Sequence, residues 1–124
     1  MAVVPFGAGR GWITETAKTA SYTVMVADSG TLFTTVGAGG AVVFTLPAIA
    51  GAAGFHAWFL STVAQNMSIT APANKLVVAG NSTGTTGCYT TAGSIIGAMC
   101  FVCMNDAATF YYLFNMGGLA VTSA

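Results

Sequence analysis

The sequence predicts an all-β fold, a small antiparallel β-sandwich or β-barrel of jelly-roll type, and three observations carry that prediction. Thr, Val, Ile and aromatic residues fill the apolar runs, and such side chains suit a pleated strand. Turn residues break the chain about every ten positions, as in compact β domains. No window repeats its apolar residues at helical spacing. A chain of 124 residues suits one domain. We divide it into an N-terminal arm, residues 1–11, and a single β domain, residues 12–124.

The arm carries Val3, Val4, Pro5 and Phe6, followed by Gly7, Gly9 and Gly11. Glycine loosens the backbone and proline removes a ladder donor, so a regular strand does not form there. An apolar arm of this kind suits a clasp onto a neighbouring surface. A first short strand is expected over Trp12 to Thr16. Tyr22, Val24 and Val26 then alternate with Thr23 and Met25. Asp28-Ser29-Gly30 is a turn, because Asp bonds nearby backbone and Gly accepts positive φ.

Leu32, Thr34 and Val36 alternate with Phe33 and Thr35 up to the break at Gly37 to Gly40. Val42, Phe44 and Leu46 share a face, and Pro47 ends that strand. Beyond Gly54, Phe55, Ala57 and Phe59 face one way and His56, Trp58 and Leu60 the other. Both sets are apolar, which predicts a strand buried on both sides. Gln65-Asn66 turns the chain into Met67 to Ala71, and Pro72 closes it. Lys75 to Ala79 and Cys88 to Thr91 are short strands on either side of the polar loop Gly80 to Gly87. Ser94 to Met104 and Thr109 to Met116 read as a hairpin joined through Asn105-Asp106, and Gly117-Gly118 ends it.

Charge is the unusual feature. Only 5% of residues are charged, and the formal net charge is zero; the usual charged share is about 25%. Three basic residues, Arg10, Lys18 and Lys75, cannot neutralise a run of phosphates, which excludes nucleic acid as a partner. They cannot hold the chain on an anionic membrane either. Low charge also promotes association, so the composition points to a subunit whose surface is covered by neighbours. Met1 to Gly9 has no basic stretch followed by an apolar one, which argues against a secretory signal. The longest apolar run, Ala41 to Ala64, is interrupted by Pro47, Gly51, Gly54 and His56. It reads as two buried strands and a small-residue loop rather than a membrane span.

Catalytic chemistry finds little support. His56 is the sole histidine and lies in an apolar strand with no carboxylate near it in sequence. Glu15, Asp28 and Asp106 are far apart in the chain, and acid–base work needs positioned partners. Glu15 has Lys18 as a local pairing partner. Cys100 and Cys103 have metal-like spacing, yet strand residues three apart point to opposite faces. Structural zinc needs four ligands, and no second such pair exists. We therefore expect no enzyme activity, cofactor or metal, with the cysteines acting as small buried apolar groups. The run Phe110 to Phe114 is more informative. Its two faces are Phe110, Tyr112 and Phe114 on one side and Tyr111 and Leu113 on the other, one for the core and one for an interface, where Tyr is favoured. The interface set expected from sequence is Val3, Val4, Pro5, Phe6, Trp12, Tyr111 and Leu113.

Tyr22-Thr23-Val24 leads through Ala27-Asp28-Ser29-Gly30 into Thr31-Leu32-Phe33, and this run resembles a segment common in bacteriophage virion proteins. Val43-Phe44-Thr45-Leu46-Pro47-Ala48 is similar to the strand-and-proline element of the same modules, and the loop before Gly54-Phe55 continues the likeness. Residues 13–116 are covered in this way. The family comprises head decoration (cement) proteins and related tail-fibre β modules. The resemblance implies a small, usually trimeric β module of the virion. The apolar arm, suited to clamping onto a shell, favours the head, so the expectation is a homotrimer on the capsid exterior, assembled in the host cytoplasm, with the major capsid protein as partner. Tyr111-Tyr112-Leu113-Phe114 departs from the family, whose modules often end on a polar, Trp-bearing strand. Two alternatives are a tail-fibre or spike receptor-binding module, using Gly80 to Gly87 and exposed tyrosines, and a carbohydrate-binding adhesive domain.

Overall fold

The alternation of side chains along each strand gives it two faces, of which one turns inward. The computed structural model describes residues 13–72, 75–78, 88–91, 96–116 and 119–120. The strands are β1 (Thr14–Ala17), β2 (Tyr22–Thr23), β3 (Thr31–Thr34), β4 (Val42–Thr45), β5 (His56–Leu60) and β6 (Met67–Thr70). They continue with β7 (Leu76–Val78), β8 (Cys88–Thr91), β9 (Met99–Met104), β10 (Tyr111–Asn115) and β11 (Leu119–Ala120). A short 3-10 helix, Val26–Asp28, stands where the sequence suggested that β2 would continue. The reason is local: the Asp28 carboxylate accepts the Met25 N–H at 2.9 Å and the Tyr22 hydroxyl at 2.8 Å, which curls the chain. Gly30 follows with a φ of 86°, a left-handed value that favours glycine.

Two sheets result. The six-stranded sheet has the order β1-β3-β5-β9-β10-β7 and the five-stranded sheet β11-β8-β6-β4-β2. The expected all-β class holds, and neither sheet is closed. The expectation of antiparallel sheets is corrected, because both sheets are mixed. β1, β3 and β5 pair in parallel, as do β2, β4 and β6. From β1 to β6 the chain changes sheet after every strand, so each return to a sheet runs in the same direction as the previous visit. The predicted β9–β10 hairpin forms, and β9 also pairs antiparallel with β5. The hairpin thus sits between β5 and β7, and β7 runs parallel to β10.

The inner faces of the two sheets share one core. Val42, Phe44, Met67 and Ile69 come from one sheet, and Phe33, Ala57, Phe59, Cys100, Val102, Tyr111 and Leu113 from the other. Phe44 lies 5.5 Å from Phe33 and 5.1 Å from Phe59 between ring centroids, bridging the sheets. Such aromatic pairs contribute about 0.5–1.5 kcal/mol beyond the area they bury. Tyr111, fully buried, donates its hydroxyl to the Pro47 carbonyl at 2.7 Å and so ties β10 to the end of β4. The apolar run Ala41 to Ala64 becomes β4 and β5, one strand in each sheet. Among the described residues, no helix is long and apolar enough to cross a membrane.

Candidate functional site

On β5, Phe55, Ala57 and Phe59 turn into the core while His56, Trp58 and Leu60 remain partly exposed. The expectation that this strand is buried on both sides is therefore corrected: among the described residues, no second layer covers its outer face. The same alternation on β9 sends Cys100 and Val102 inward and Met99, Phe101 and Cys103 outward. On β10 it sends Tyr111 and Leu113 inward and Tyr112 and Phe114 outward.

Strand register lines these outward residues up. Leu32 is opposite Trp58, Trp58 opposite Phe101, and Phe101 opposite Phe114. One row of large apolar side chains thus crosses β3, β5, β9 and β10. Trp58 and Phe101 lie 5.2 Å apart between centroids, and Phe101 and Phe114 6.1 Å apart. A second row runs from His56 through Cys103 and Tyr112 to Val77. A third pairs Leu60 with Met99, and Met116 closes on it through an N–H bond to the Met99 carbonyl at 3.0 Å. Phe114 is 54% exposed, Met116 58% and Tyr112 37%. None of these side chains is Asp, Glu, Lys or Arg; the first row runs on to Glu15 of β1, opposite Leu32. The surface is thus apolar and contiguous, half-buried at Leu32, Trp58 and Phe101 and exposed at Tyr112, Phe114 and Met116.

His56 sits at one border of this face. Its N–H donates to Ser29 Oγ at 3.2 Å, and its carbonyl accepts the Gly30 N–H at 2.7 Å. Its ring Nδ1 lies 3.3 Å from both Ser29 Oγ and the Gly54 carbonyl. The ring stands edge-on to Trp58 at 5.6 Å. These contacts lock the Asp28-Ser29-Gly30 turn to β5 and prop the indole, a positioning role.

The titratable groups do not gather. Glu15 accepts the Thr34 hydroxyl at 2.8 Å, and the Lys18 ammonium lies 3.6 Å above the Tyr22 ring. Asp28 is engaged by Tyr22, and that hydrogen bond, with burial and the carboxylate charge behind it, holds the Tyr22 phenol above its ordinary range. Among the described residues, no group of three or more His, Cys, Asp or Glu could hold a metal ion. Cys100 and Cys103 point to opposite faces, as their spacing predicts. Burial pushes both thiols up, Cys100 strongly, which keeps them as poorly nucleophilic thiols.

No protein-family model, curated protein or solved structure matches the chain.

The site set expected from sequence divides into two. Val3, Val4, Pro5, Phe6 and Trp12 lie outside the described residues. Tyr111 and Leu113 lie in the core, which corrects their assignment to an interface. The physical reason is phase: a strand shows alternate residues to each face, and the core took the odd-numbered set of β10. The exposed set is Tyr112 and Phe114. Trp58, Phe101 and Met99 were missed because they become neighbours only through the non-local β5–β9 pairing. The legible signal was the doubly apolar alternation of β5 and β9.

Proposed function

We propose that the protein is a structural subunit of a bacteriophage virion: a decoration (cement) protein that binds the assembled major-capsid shell as a homotrimer. The observation that carries this reading is the apolar row Leu32, Trp58, Phe101, Phe114 on the outer face of the six-stranded sheet, bordered at its β1 end by Glu15. We read the two sheets as a sandwich with that face turned to a protein neighbour. The aromatic centre and the scarcity of charge fit the composition of interface cores. The resemblance of the Tyr22 to Phe33 and Val43 to Ala48 segments to phage virion modules supplies the identity of that neighbour.

The mechanism is mass action. A subunit that binds the assembled shell, but not the loose capsid protein, lowers the free energy of the shell by RT ln(1 + L/Kd) for each site, where L is the free subunit concentration. No bond is made or broken, and no cofactor takes part. The test is a titration of the protein onto undecorated shells, followed by particle reconstruction and a heat challenge. Saturable binding in hundreds of copies with a raised disruption temperature supports decoration. A handful of copies at the tail moves the protein to a fibre. Absence from virions overturns both.

A further inference from the structure

The six-stranded sheet ends in two open edges, β1 and β7, and neither has a strand on its outer side among the described residues. From their direction and hydrogen-bond phase we infer that copies of this chain join edge to edge, β1 of one protomer pairing in parallel with β7 of the next. This rests on the homo-oligomer reading above.

Strand direction comes first. β1, β3 and β5 are parallel. β9 runs against β5 and β10 against β9, so β10 runs with β5, and β7 is parallel to β10. Both edges of the sheet therefore point the same way. The five-stranded sheet repeats the pattern, since β8 opposes β6, β11 opposes β8, and β2 and β4 run with β6. A copy set against the end of another extends both sheets with parallel strands at the seams.

Hydrogen-bond phase comes second. In a parallel pair each residue sends both its N–H and its C=O to one side, and the next residue to the other. The Lys18 N–H bonds to the Thr34 carbonyl, so Lys18, Thr16 and Thr14 serve β3. Glu15 and Ala17 then present their backbone groups to the open side. The Tyr111 N–H bonds to the Lys75 carbonyl, so Lys75 and Val77 serve β10. Leu76 and Val78 face the open side of β7. Each edge offers two residues spaced two apart, which is the repeat one parallel ladder requires. β1 is four residues long with no proline, and its one charged group, Glu15, is bound by Thr34. Among the described residues, neither a proline nor a covering strand blunts that edge. The contact is head-to-tail, which is the type a trimer ring needs; a two-fold pairing of β1 with β1 gives only dimers.

Amide hydrogen exchange on the full chain, alongside light scattering, tests this. The Glu15, Ala17 and Leu76 amides should exchange on the order of 100-fold slower than open amides, as paired ones do. Ala17→Pro removes an outward donor and spares the bonds to β3. It should bring the remaining edge amides back to open-chain rates and shift the mass to monomer with an unchanged far-UV spectrum. Ala17→Lys, which keeps the N–H, should shift the mass the same way should the proline variant misfold. An oligomer whose edge amides exchange freely, or is protected at β1 alone, overturns the inference and leaves the trimer reading to other surfaces. A wild-type monomer overturns both.

Discussion

Tyr111 shows how much a single side chain can decide. Its ring meets Phe55 edge-on at 6.2 Å between centroids, and its hydroxyl is the donor that satisfies the Pro47 carbonyl. Tyr111→Phe keeps the packing and strands that carbonyl, so chemical denaturation should report a loss of about 1–3 kcal/mol. An unchanged midpoint would show that the bond carries nothing. Burial holds the Tyr111 phenol and the Cys100 thiol above their ordinary ranges. The unfolded chain releases these protons at lower pH than the fold does. Their contribution is therefore complete below the ordinary thiol value of 9.0 and is lost as pH rises beyond it. Thermal melts should give a lower midpoint at pH 10.5 than at pH 8, by roughly 4 °C or more if the loss exceeds about 1 kcal/mol. Cys100→Ala should reduce that alkaline loss. At the proposed binding face the stakes differ. Phe114 is half exposed, so Phe114→Asp should leave the melting temperature within a few degrees, by about 0.5 kcal/mol or less. Shell binding by the same variant should fall at least tenfold, and unchanged binding would remove this face from the proposal.

At the scale of the element, the β9–β10 hairpin is the best defined piece. Asn105 organises its turn: its side-chain oxygen accepts the Thr109 N–H at 2.8 Å and the Phe110 N–H at 3.2 Å, and its amide donates to Thr109 Oγ1 at 2.7 Å. Asn105→Ala removes all of these, and equilibrium unfolding should show a loss of about 1–2 kcal/mol. Ala108 occupies the left-handed region, with a φ of 53°. An alanine pays about 1–2 kcal/mol there, and glycine does not, although glycine costs roughly 0.5–1 kcal/mol more in chain entropy. Ala108→Gly should thus be neutral or stabilising, and a clear destabilisation would show that the methyl group packs. The Asn105-Asp106 turn was legible because Asn and Asp carry turn chemistry in their own side chains. The shortness of β2 was less so. Tyr22, Val24 and Val26 keep strand alternation, yet Asp28 draws the backbone into a 3-10 helix.

For the whole molecule, contacts across distant parts of the chain dominate. Trp58 is opposite Phe101, and His56 opposite Cys103. Pairings this far apart close long loops before any contact repays them, so refolding should take milliseconds to seconds by stopped-flow fluorescence of the tryptophans. Microsecond refolding would contradict this topology. The sequence by itself determined the all-β class, most strand positions, the β9–β10 hairpin and the opposite facing of Cys100 and Cys103. It did so because alternation and turn residues act over a few neighbours. Low charge was equally legible, and it argues against a phosphate-neutralising surface. Only the tertiary structure decided that the sheets are mixed, since parallel pairing follows from the path between sheets and leaves no local mark. It also decided which face of β10 is core. Alternation defines two faces without naming the inner one, and Tyr111 and Leu113 went inward because Phe55, Leu76 and Val102 already lined that side. The outer apolar row, Leu32 to Phe114, exists only through the register of four strands drawn from distant parts of the chain.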